Sequence, residues 1–296
     1  MDDAFFYNYR DIWGMKLQFL FSCMLISLIA CQQPETAPEA DQPQQTSPAA
    51  ANISYSVLNA YPHDTAAFTQ GLEYYKGDLL ESTGLNGKSS LRKVEIASGR
   101  VKQKVGLAQD IFAEGLTVLR DTLYQLSWQN HEVYVWDLKS PDFKQLTRLP
   151  WSGEGWGITN DGQQLIISEG SDKLYFVAPG TLKLNQVLSV RDQYGPVNNL
   201  NELEMIDGYI YANRWQYDYI LKIDPRSGFV VGTLNFQDFL AKNSKADLGY
   251  LRKAGSTAAD NGAVLNGIAY NPEKKTIYIT GKLWPEIFEI RLENRD

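Results

Sequence analysis

Apolar and polar residues alternate along this chain in a unit that occurs five times. Each unit contains a small residue, an alternating apolar run, a turn rich in Asp, Gly, Asn or Lys, and a second alternating run. The units share one apolar anchor position, which is occupied by Leu72, Leu116, Ile158, Leu203 and Ile268. Successive anchors are 44, 42, 45 and 65 residues apart. Alternation of this kind, repeated at this period, predicts strands that build the blades of a β-propeller.

Each unit is long enough for four strands. A turn such as residues 160–162 or 207–208 joins the first two strands, and two more alternating runs follow, as at residues 133–136 and 143–149 of the second unit. The fifth unit ends one strand short. Residues 53–58 are expected to supply that strand and close the ring, which removes two exposed sheet edges.

The long fourth interval contains an insertion. Residues 238–251 have apolar side chains at near-helical spacing, which predicts a short helix and a loop lying over one face. The predicted fold is therefore all-β. It is a five-bladed β-propeller with four antiparallel strands per blade, a ring closed by an N-terminal strand, and one helical insertion before the last blade.

The N-terminal segment differs in composition from the repeats. Residues 17–30 form an apolar run that is too short to span a bilayer, and residues 28–31 resemble a bacterial lipobox ending in Cys31. We interpret residues 1–31 as a signal and lipoprotein segment, translated from Met15 and lipidated at Cys31. A plain signal peptide with a chance cysteine is the alternative.

A linker follows this segment. Residues 32–52 are rich in Pro, Gln, Ala and Thr and contain almost no large apolar side chains, which is typical of a disordered tether. The propeller domain then occupies residues 53–296. A lipid on Cys31 attaches a chain to a membrane, so we expect a periplasmic lipoprotein of the cell envelope, anchored in the outer membrane.

Composition argues against several classes of function. The chain has 28 Lys and Arg against 35 Asp and Glu, a net charge of -7, and no basic run, so no nucleic-acid partner is expected. Both cysteines, Cys23 and Cys31, precede the repeats, and nothing folded depends on a disulfide. The two histidines, His63 and His131, are far apart in sequence, so no His-based zinc site is expected.

The repeat predicts which distant residues meet at the hub of the propeller. The first strand of each blade lines the central channel, so equivalent side chains of all five blades surround one mouth. The position two residues before the anchor holds Gln70, Glu114, Trp156, Asn201 and Asn266. The end of the second strand returns to the same mouth and holds Gly84, Trp128, Gly170, Trp215 and Lys282.

An acid, a cation, amides and three tryptophans at one opening favour a functional site over core packing. Beside tryptophans, the Glu114 carboxylate is expected to be desolvated and its pKa raised, as a general acid/base requires. Hydrogen bonding between blades is the alternative for Gln70 and Asn201 and the preferred interpretation of Asn266. For three further carboxylates the sequence leaves two roles open, which are hydrogen bonding between blades and a part in the site. They are Glu81, Glu202 and Glu204.

Eight motifs in a fixed order resemble a known family. They are FTQGL from Phe68, ESTGLNGKSS from Glu81, AEGLT from Ala113, GWGI from Gly155, LNELE from Leu200, ANRWQYD from Ala212, LNGIAY from Leu265 and TGKLWP from Thr280. Together they resemble the plant and bacterial type of glutaminyl-peptide cyclotransferase, from about Tyr61 to the C-terminus. The resemblance implies a five-bladed propeller, in agreement with the strand count.

The resemblance also implies an activity and a set of site residues. The activity is acyl transfer that converts N-terminal glutaminyl residues of peptides or proteins to pyroglutamate and releases ammonia. Glu114 is implied to be the catalytic acid/base, and the implied substrate pocket contains Gln70, Trp128, Trp156, Asn201, Trp215 and Lys282. Among these, Lys282, with Asn201 or Gln70, is expected to polarise the γ-carbonyl and hold the developing oxyanion. No step requires a metal or another cofactor, and we expect a monomer.

Two other functions use the same mouth. A non-catalytic propeller that binds a peptide or glycan at the cell envelope needs the aromatic side chains but no buried acid beside a cation. A metal-dependent, lactonase-type propeller needs acidic or amide ligands around a central cation. The conceivable ligand set is Gln70, Glu114, Asn201 and Asn266, and the three tryptophans crowd that arrangement.

Overall fold

The computed structural model describes residues 49–251 and 262–293, and within them the five repeats form five antiparallel sheets. The chain begins with β1 (Ala51–Asn52) and β2 (Tyr55–Pro62). Blade one contains β3 (Thr69–Tyr75), β4 (Asp78–Thr83), β5 (Ser90–Glu95) and β6 (Val101–Gly106). Blade two contains β7 (Ala113–Leu119), β8 (Thr122–Ser127), β9 (Glu132–Asp137) and β10 (Lys144–Pro150). Blade three contains β11 (Ile158–Asn160), β12 (Leu165–Ser168), β13 (Lys173–Val177) and β14 (Leu184–Ser189).

The remaining elements complete the ring. A small hairpin of β15 (Arg191–Asp192) and β16 (Gly195–Pro196) precedes blade four. Blade four contains β17 (Leu200–Ile206), β18 (Tyr209–Arg214), β19 (Tyr219–Ile223) and β20 (Val230–Asn235). The insertion contains the helix α1 (Phe239–Asn243) and a 3-10 turn (Gly249–Leu251). Blade five contains β21 (Leu265–Asn271), β22 (Thr276–Gly281) and β23 (Glu286–Leu292). The predicted five-bladed architecture is confirmed.

An N-terminal strand, β2, closes blade five, as predicted. β2 pairs antiparallel with β23, from Tyr55 opposite Leu292 to Pro62 opposite Glu286. The observed strand begins and ends later than the predicted residues 53–58. The sheet order β2-β23-β22-β21 gives this blade its fourth strand and joins the two ends of the domain.

A buried polar cluster secures this closure. His63 directly follows β2, and its Nε2 lies 2.8 Å from Glu81 Oε1 on β4, while its Nδ1 lies 2.8 Å from the Trp284 carbonyl oxygen. The Glu81 carboxylate also accepts a hydrogen bond from Thr69 and lies 3.8 Å from the Arg92 guanidinium. The closing strand is thereby tied to blades one and five by charged groups as well as by its backbone.

The start of the folded region requires one correction. Ala51 and Asn52, assigned to the linker from their composition, form β1 and pair in parallel with Gly232 and Thr233 of β20. The pairing uses backbone groups at the outer edge of blade four, so it needs no apolar side chain and leaves no signal in the sequence. The predicted lipidation site Cys31 and start at Met15 lie outside the described residues.

The predicted helical insertion covers the seam between blades four and five. The Phe239 ring packs edge-on against Phe236, which follows β20, at 5.1 Å between centroids, and against Phe288 of β23 at 4.9 Å. These rings belong to one buried apolar cluster with residues of both blades. Within the described part of the chain, no helix has the length and apolar character to cross a membrane.

The first strands of neighbouring blades approach closely around the channel, and glycine makes this possible. A β-carbon on Gly157 in blade three would lie 1.8 Å from the Asn201 carbonyl oxygen of blade four, and one on Gly71 would lie 2.4 Å from the Leu116 nitrogen. No larger residue fits without moving a strand. Gly71 and Gly157, each of which follows a channel position, are therefore packing requirements of the hub.

The same strands carry one extra residue near the channel mouth. The register of the inner ladder shifts between Ala113 and Leu116 in blade two, and in the same way in blades one, four and five. Such a β-bulge turns one side chain out of the ladder. The displaced segments contain the four channel residues Gln70, Glu114, Asn201 and Asn266.

The three carboxylates that the sequence left open serve to join blades. Glu202 of blade four accepts hydrogen bonds from the Leu72 nitrogen of blade one and the Ile268 nitrogen of blade five, at 3.2 and 2.9 Å. Glu204 accepts one from the Tyr270 nitrogen at 2.7 Å. Together with the Glu81–His63 contact, these bonds give each of the three carboxylates a structural partner. None of the three lines the cavity described below.

Candidate active site

A cavity of about 260 Å³ opens at one end of the channel. It is lined by residues from all over the chain: Phe68, Gln70, Phe112, Glu114, Trp128, Trp156, Asn201, Trp215 and Lys282. Seven of these nine residues were predicted from the repeat register. The other two, Phe68 and Phe112, lie two residues before Gln70 and Glu114, so the same alternation that selected those positions also points to the phenylalanines.

Glu114 is the acid of the cavity. It lies at the bulge of β7, with only 6% of its surface exposed, and its Oε1 accepts a hydrogen bond from Gln70 Nε2 at 3.2 Å. Burial raises the pKa of Glu114 well above its usual range. The positive charge of Lys282 opposes this rise, and the negative charge of Glu154 adds to it. A carboxyl group with a raised pKa is a stronger base than an ordinary carboxylate, which suits a general acid/base.

Lys282 is the cation of the cavity. It follows β22 and is 4% exposed, and its Nζ lies 4.7 Å from the centroid of the Phe68 ring. Burial lowers the pKa of Lys282 to about 8, against the attraction of Glu114. The ammonium is thus surrounded by an aromatic face and an acid in a place where water screens little, so its field acts strongly on a bound group.

Aromatic rings form the walls. The Trp156 and Trp215 rings meet edge-to-face at 5.6 Å, and Trp128 packs against Phe112 at 5.8 Å. Trp128 and Trp215 are each 36% exposed, which places them at the mouth, where a ligand would cover them. Large rigid rings of this kind exclude water and orient a small substrate.

Two amide oxygens in the cavity have no hydrogen-bond partner among the described residues. They are Gln70 Oε1 and Asn201 Oδ1, on side chains that are 2% and 3% exposed. An unsatisfied buried acceptor costs about 1–3 kcal/mol, so such atoms are normally reserved for a ligand or water. The cavity therefore suits a ligand that donates N–H groups.

Asn266 has the structural role preferred from the sequence. Its Nδ2 donates a hydrogen bond to the Thr69 carbonyl oxygen at 3.0 Å, which joins blades five and one. The side chain is fully buried and does not line the cavity. In the described ranges, no three His, Cys, Asp or Glu side chains are grouped closely enough to hold a metal ion; the expected metal independence stays a prediction.

Comparison with known proteins connects this cavity to a family. The family model of glutamine cyclotransferases matches residues 25–292 of the chain. The chain belongs to the glutamine cyclotransferase family. The glutaminyl-peptide cyclotransferase of Arabidopsis thaliana is 39% identical over 242 residues, which are 80% of this chain and 71% of that protein.

A solved structure supports the same assignment. The crystal structure of Myxococcus xanthus glutaminyl cyclase matches with a TM-score of 0.72 at 34% sequence identity, covering 83% of this chain and 100% of that one. As a member of the glutamine cyclotransferase family, the chain is an enzyme of the acyltransferase class. These matches favour the cyclotransferase interpretation over a binding-only or lactonase-type propeller.

Proposed function

We propose that this member of the family converts the N-terminal glutaminyl residue of peptides to pyroglutamate and releases ammonia, with Glu114 as the general acid/base. The observation that carries the proposal is the buried pair of Glu114 and Lys282 in a small aromatic cavity. Their opposite charges interact, and burial raises the pKa of Glu114 and lowers the pKa of Lys282 to about 8.

The reaction occurs within one residue of the substrate. The α-amine nitrogen attacks the γ-carboxamide carbon, a new C–N bond closes the five-membered ring, and the old C–N bond breaks to release ammonia. Because both reacting groups belong to the same residue, the enzyme mainly has to select the folded-back rotamer. The walls formed by Trp128, Trp156 and Trp215 suit this task, since they leave space for one side chain and its amine.

Glu114 is positioned to move the proton between the two nitrogen atoms. An α-amine has an ordinary pKa of about 8, so most of it is protonated and unreactive at pH 7. The ionised Glu114 takes the proton as the amine attacks, and then returns it to the departing amide nitrogen. A raised carboxyl pKa makes Glu114 a stronger base for the first transfer, and the protonated carboxyl then holds the proton beside the departing nitrogen.

Lys282 and the two amides complete the site. The Lys282 ammonium, helped by the Asn201 amide, stabilises the negative charge that develops on the γ-carbonyl oxygen; one such donor is worth about 3 kcal/mol of barrier. The unpartnered oxygens of Gln70 and Asn201 accept N–H groups from the substrate amine and carboxamide. A terminal Gln supplies donors on both groups.

The test is an ammonia-release assay on a dipeptide that begins with Gln, with the pyroglutamyl product identified by mass spectrometry. Glu114→Gln preserves size and hydrogen bonding but cannot take a proton, so turnover should fall by about 10²–10⁴-fold while peptide binding is kept. Glu132→Gln is the matched control, because Glu132 pairs with Arg148 on the outer part of blade two. Equal activity of Glu114→Gln and the control would remove Glu114 from the mechanism.

We also propose that the enzyme acts as a periplasmic lipoprotein, held at the outer membrane through Cys31. The lipobox-like sequence before Cys31 and the tether-like residues 32–50 support this location. Membrane fractionation of the wild type and of Cys31→Ser tests it. The wild type should sediment with the outer membrane and the variant should be soluble, and identical distribution of the two would contradict the anchor.

A further inference from the structure

One carboxylate outside the repeat register touches two walls of the cavity. Glu154 lies in the loop between β10 and β11, and its Oε2 accepts hydrogen bonds from Trp128 Nε1 at 2.8 Å and Trp156 Nε1 at 3.1 Å. Its Oε1 accepts a third from Gln129 Nε2 at 3.0 Å. A single side chain thus holds one indole from blade two and one from the start of blade three.

These two contacts fix the rings that face the substrate. Trp128 is 36% exposed, and its one ring neighbour among the cavity residues is Phe112. A tryptophan at such a mouth has several rotamers available unless its N–H is held. Hydrogen bonds to a charged acceptor are about twice as strong as those between neutral groups, so the Glu154 carboxylate is suited to select one rotamer for each ring.

The position of Glu154 is itself set by tight packing of its loop. Its carbonyl oxygen accepts a hydrogen bond from Trp151 Nε1 at 3.0 Å. The flanking glycines are in close contact with neighbouring groups, since a β-carbon on Gly153 would lie 2.7 Å from Glu169 Oε2 and one on Gly155 would lie 2.6 Å from the Ser127 carbonyl oxygen. The loop therefore presents the carboxylate in one place.

Glu154 also acts on the catalytic acid through space. Partial burial raises its own pKa, but hydrogen bonds from Gln129, Trp156 and Trp128 and the charge of His131 outweigh this and hold the pKa below its usual range. Glu154 is therefore ionised at any pH at which Glu114 titrates. The charged groups that act on Glu114 are Lys282, which favours ionisation, and Glu154, which opposes it.

We propose that Glu154 is a positioning residue of this enzyme: it holds Trp128 and Trp156 in the orientation that receives the substrate, and its charge keeps Glu114 basic enough to deprotonate the α-amine. The effect on catalysis rests on the proposed function of Glu114. The orientation of the two rings does not depend on it.

Kinetics test the effect on catalysis. Glu154→Gln keeps an acceptor oxygen but removes the charge, so the acid limb of the kcat/KM profile should move to lower pH, because the pKa of Glu114 is no longer raised by this neighbour. Glu154→Ala removes all three hydrogen bonds and should raise KM by about tenfold or more. Glu132→Gln, the same charge change away from the cavity, should leave both the limb and KM unchanged.

A measurement without substrate tests the positioning. The indole N–H signals of Trp128 and Trp156 are assigned in the NMR spectrum of the full chain by replacing each with phenylalanine. In Glu154→Ala these two signals should shift and exchange with solvent at least about tenfold faster, while the buried Trp284 signal stays unchanged. Unchanged indole exchange overturns the positioning role, and an acid limb that stays in place in Glu154→Gln overturns the electrostatic role. If the wild type releases no ammonia, the proposed function fails, and the indole signals still decide the positioning.

Discussion

Replacing Lys282 with methionine should change stability and activity in opposite directions. Methionine keeps a long flexible side chain in the cavity but removes the ammonium. Burial lowers the pKa of Lys282 from 10.5 to about 8, so the folded protein disfavours the charged form by about 3 kcal/mol relative to water. Because the ammonium is charged in the folded and the unfolded chain at pH 7, that cost is present there in full. We expect Lys282→Met to raise the free energy of unfolding at pH 7 by up to about 3 kcal/mol, or Tm by about 5–10 °C.

The sign of the pH dependence follows from the lowered pKa. Above about pH 8 the folded wild type releases the Lys282 proton, whereas the unfolded chain keeps it up to about pH 10.5. Over that window the unfolded state binds more protons, so the wild type gains stability relative to the variant as pH rises. The stability difference between Lys282→Met and the wild type should therefore shrink between about pH 8 and pH 10.5.

Two assays on the same preparations separate the effects. Urea unfolding followed by tryptophan fluorescence gives the stability at pH 7 and pH 10, and ammonia release gives kcat, which should fall by about 10²–10³-fold with the loss of the oxyanion partner. Lys183→Met, at an exposed position before β14, is the control and should change neither quantity. If Lys282→Met were less stable than the wild type at pH 7, and less stable by the same margin at pH 10, the assignment of a buried charge to Lys282 would be refuted.

Three further outcomes follow from the structure. Trp215→Ala removes the edge-to-face partner of Trp156 and part of the mouth, and should raise KM about tenfold with a smaller effect on kcat; a purely kcat effect would contradict its place in substrate binding. His63→Ala removes the closest charged partner of the buried Glu81, which keeps only Thr69 and the more distant Arg92, and should lower the free energy of unfolding by about 3 kcal/mol. Burial opposes protonation of His63, but Glu81 outweighs it and raises the pKa of His63. The stability that His63 contributes is therefore complete below about pH 6.5 and declines as pH rises through the raised pKa. Urea unfolding at several pH values measures this, and a destabilisation by His63→Ala that grows with pH would contradict it. Ammonia release should be unchanged after dialysis against a chelator, and activity that is lost and then restored by a divalent cation would contradict the metal-free mechanism.

The repeat made most of the cavity predictable. Equivalent positions of a propeller converge at its hub, so the repeat register selected Glu114, Trp215 and Lys282 from three different blades, once two extra turn residues were allowed in the last repeat. Phe68 and Phe112 continue the same alternation and were within reach of the same reasoning. Alternation specifies which face of a strand is inward, and this information is sufficient for side chains that lie on strands.

The sequence was insufficient where position depends on the path of a loop or on the backbone alone. Glu154 lies between two blades, outside the repeating register, and its contacts with Trp128 and Trp156 follow from how the loop folds back. β1 pairs through backbone groups only, which leaves no compositional trace. The role of Glu202 was open because the sequence does not show which groups its carboxylate contacts. A carboxylate near a channel can either bind a ligand or join two blades.

The pairing of β2 with β23 has a consequence for how the enzyme becomes active. The two strands are separated by more than two hundred residues, and such long-range contacts form late and slowly during folding. Lys282 belongs to the blade that this pairing completes, so a chain still emerging from the ribosome has its acid and its aromatic rings but not yet its cation. The site therefore depends on the pairing of two strands that lie far apart in sequence, and a chain truncated before β22 should release no ammonia.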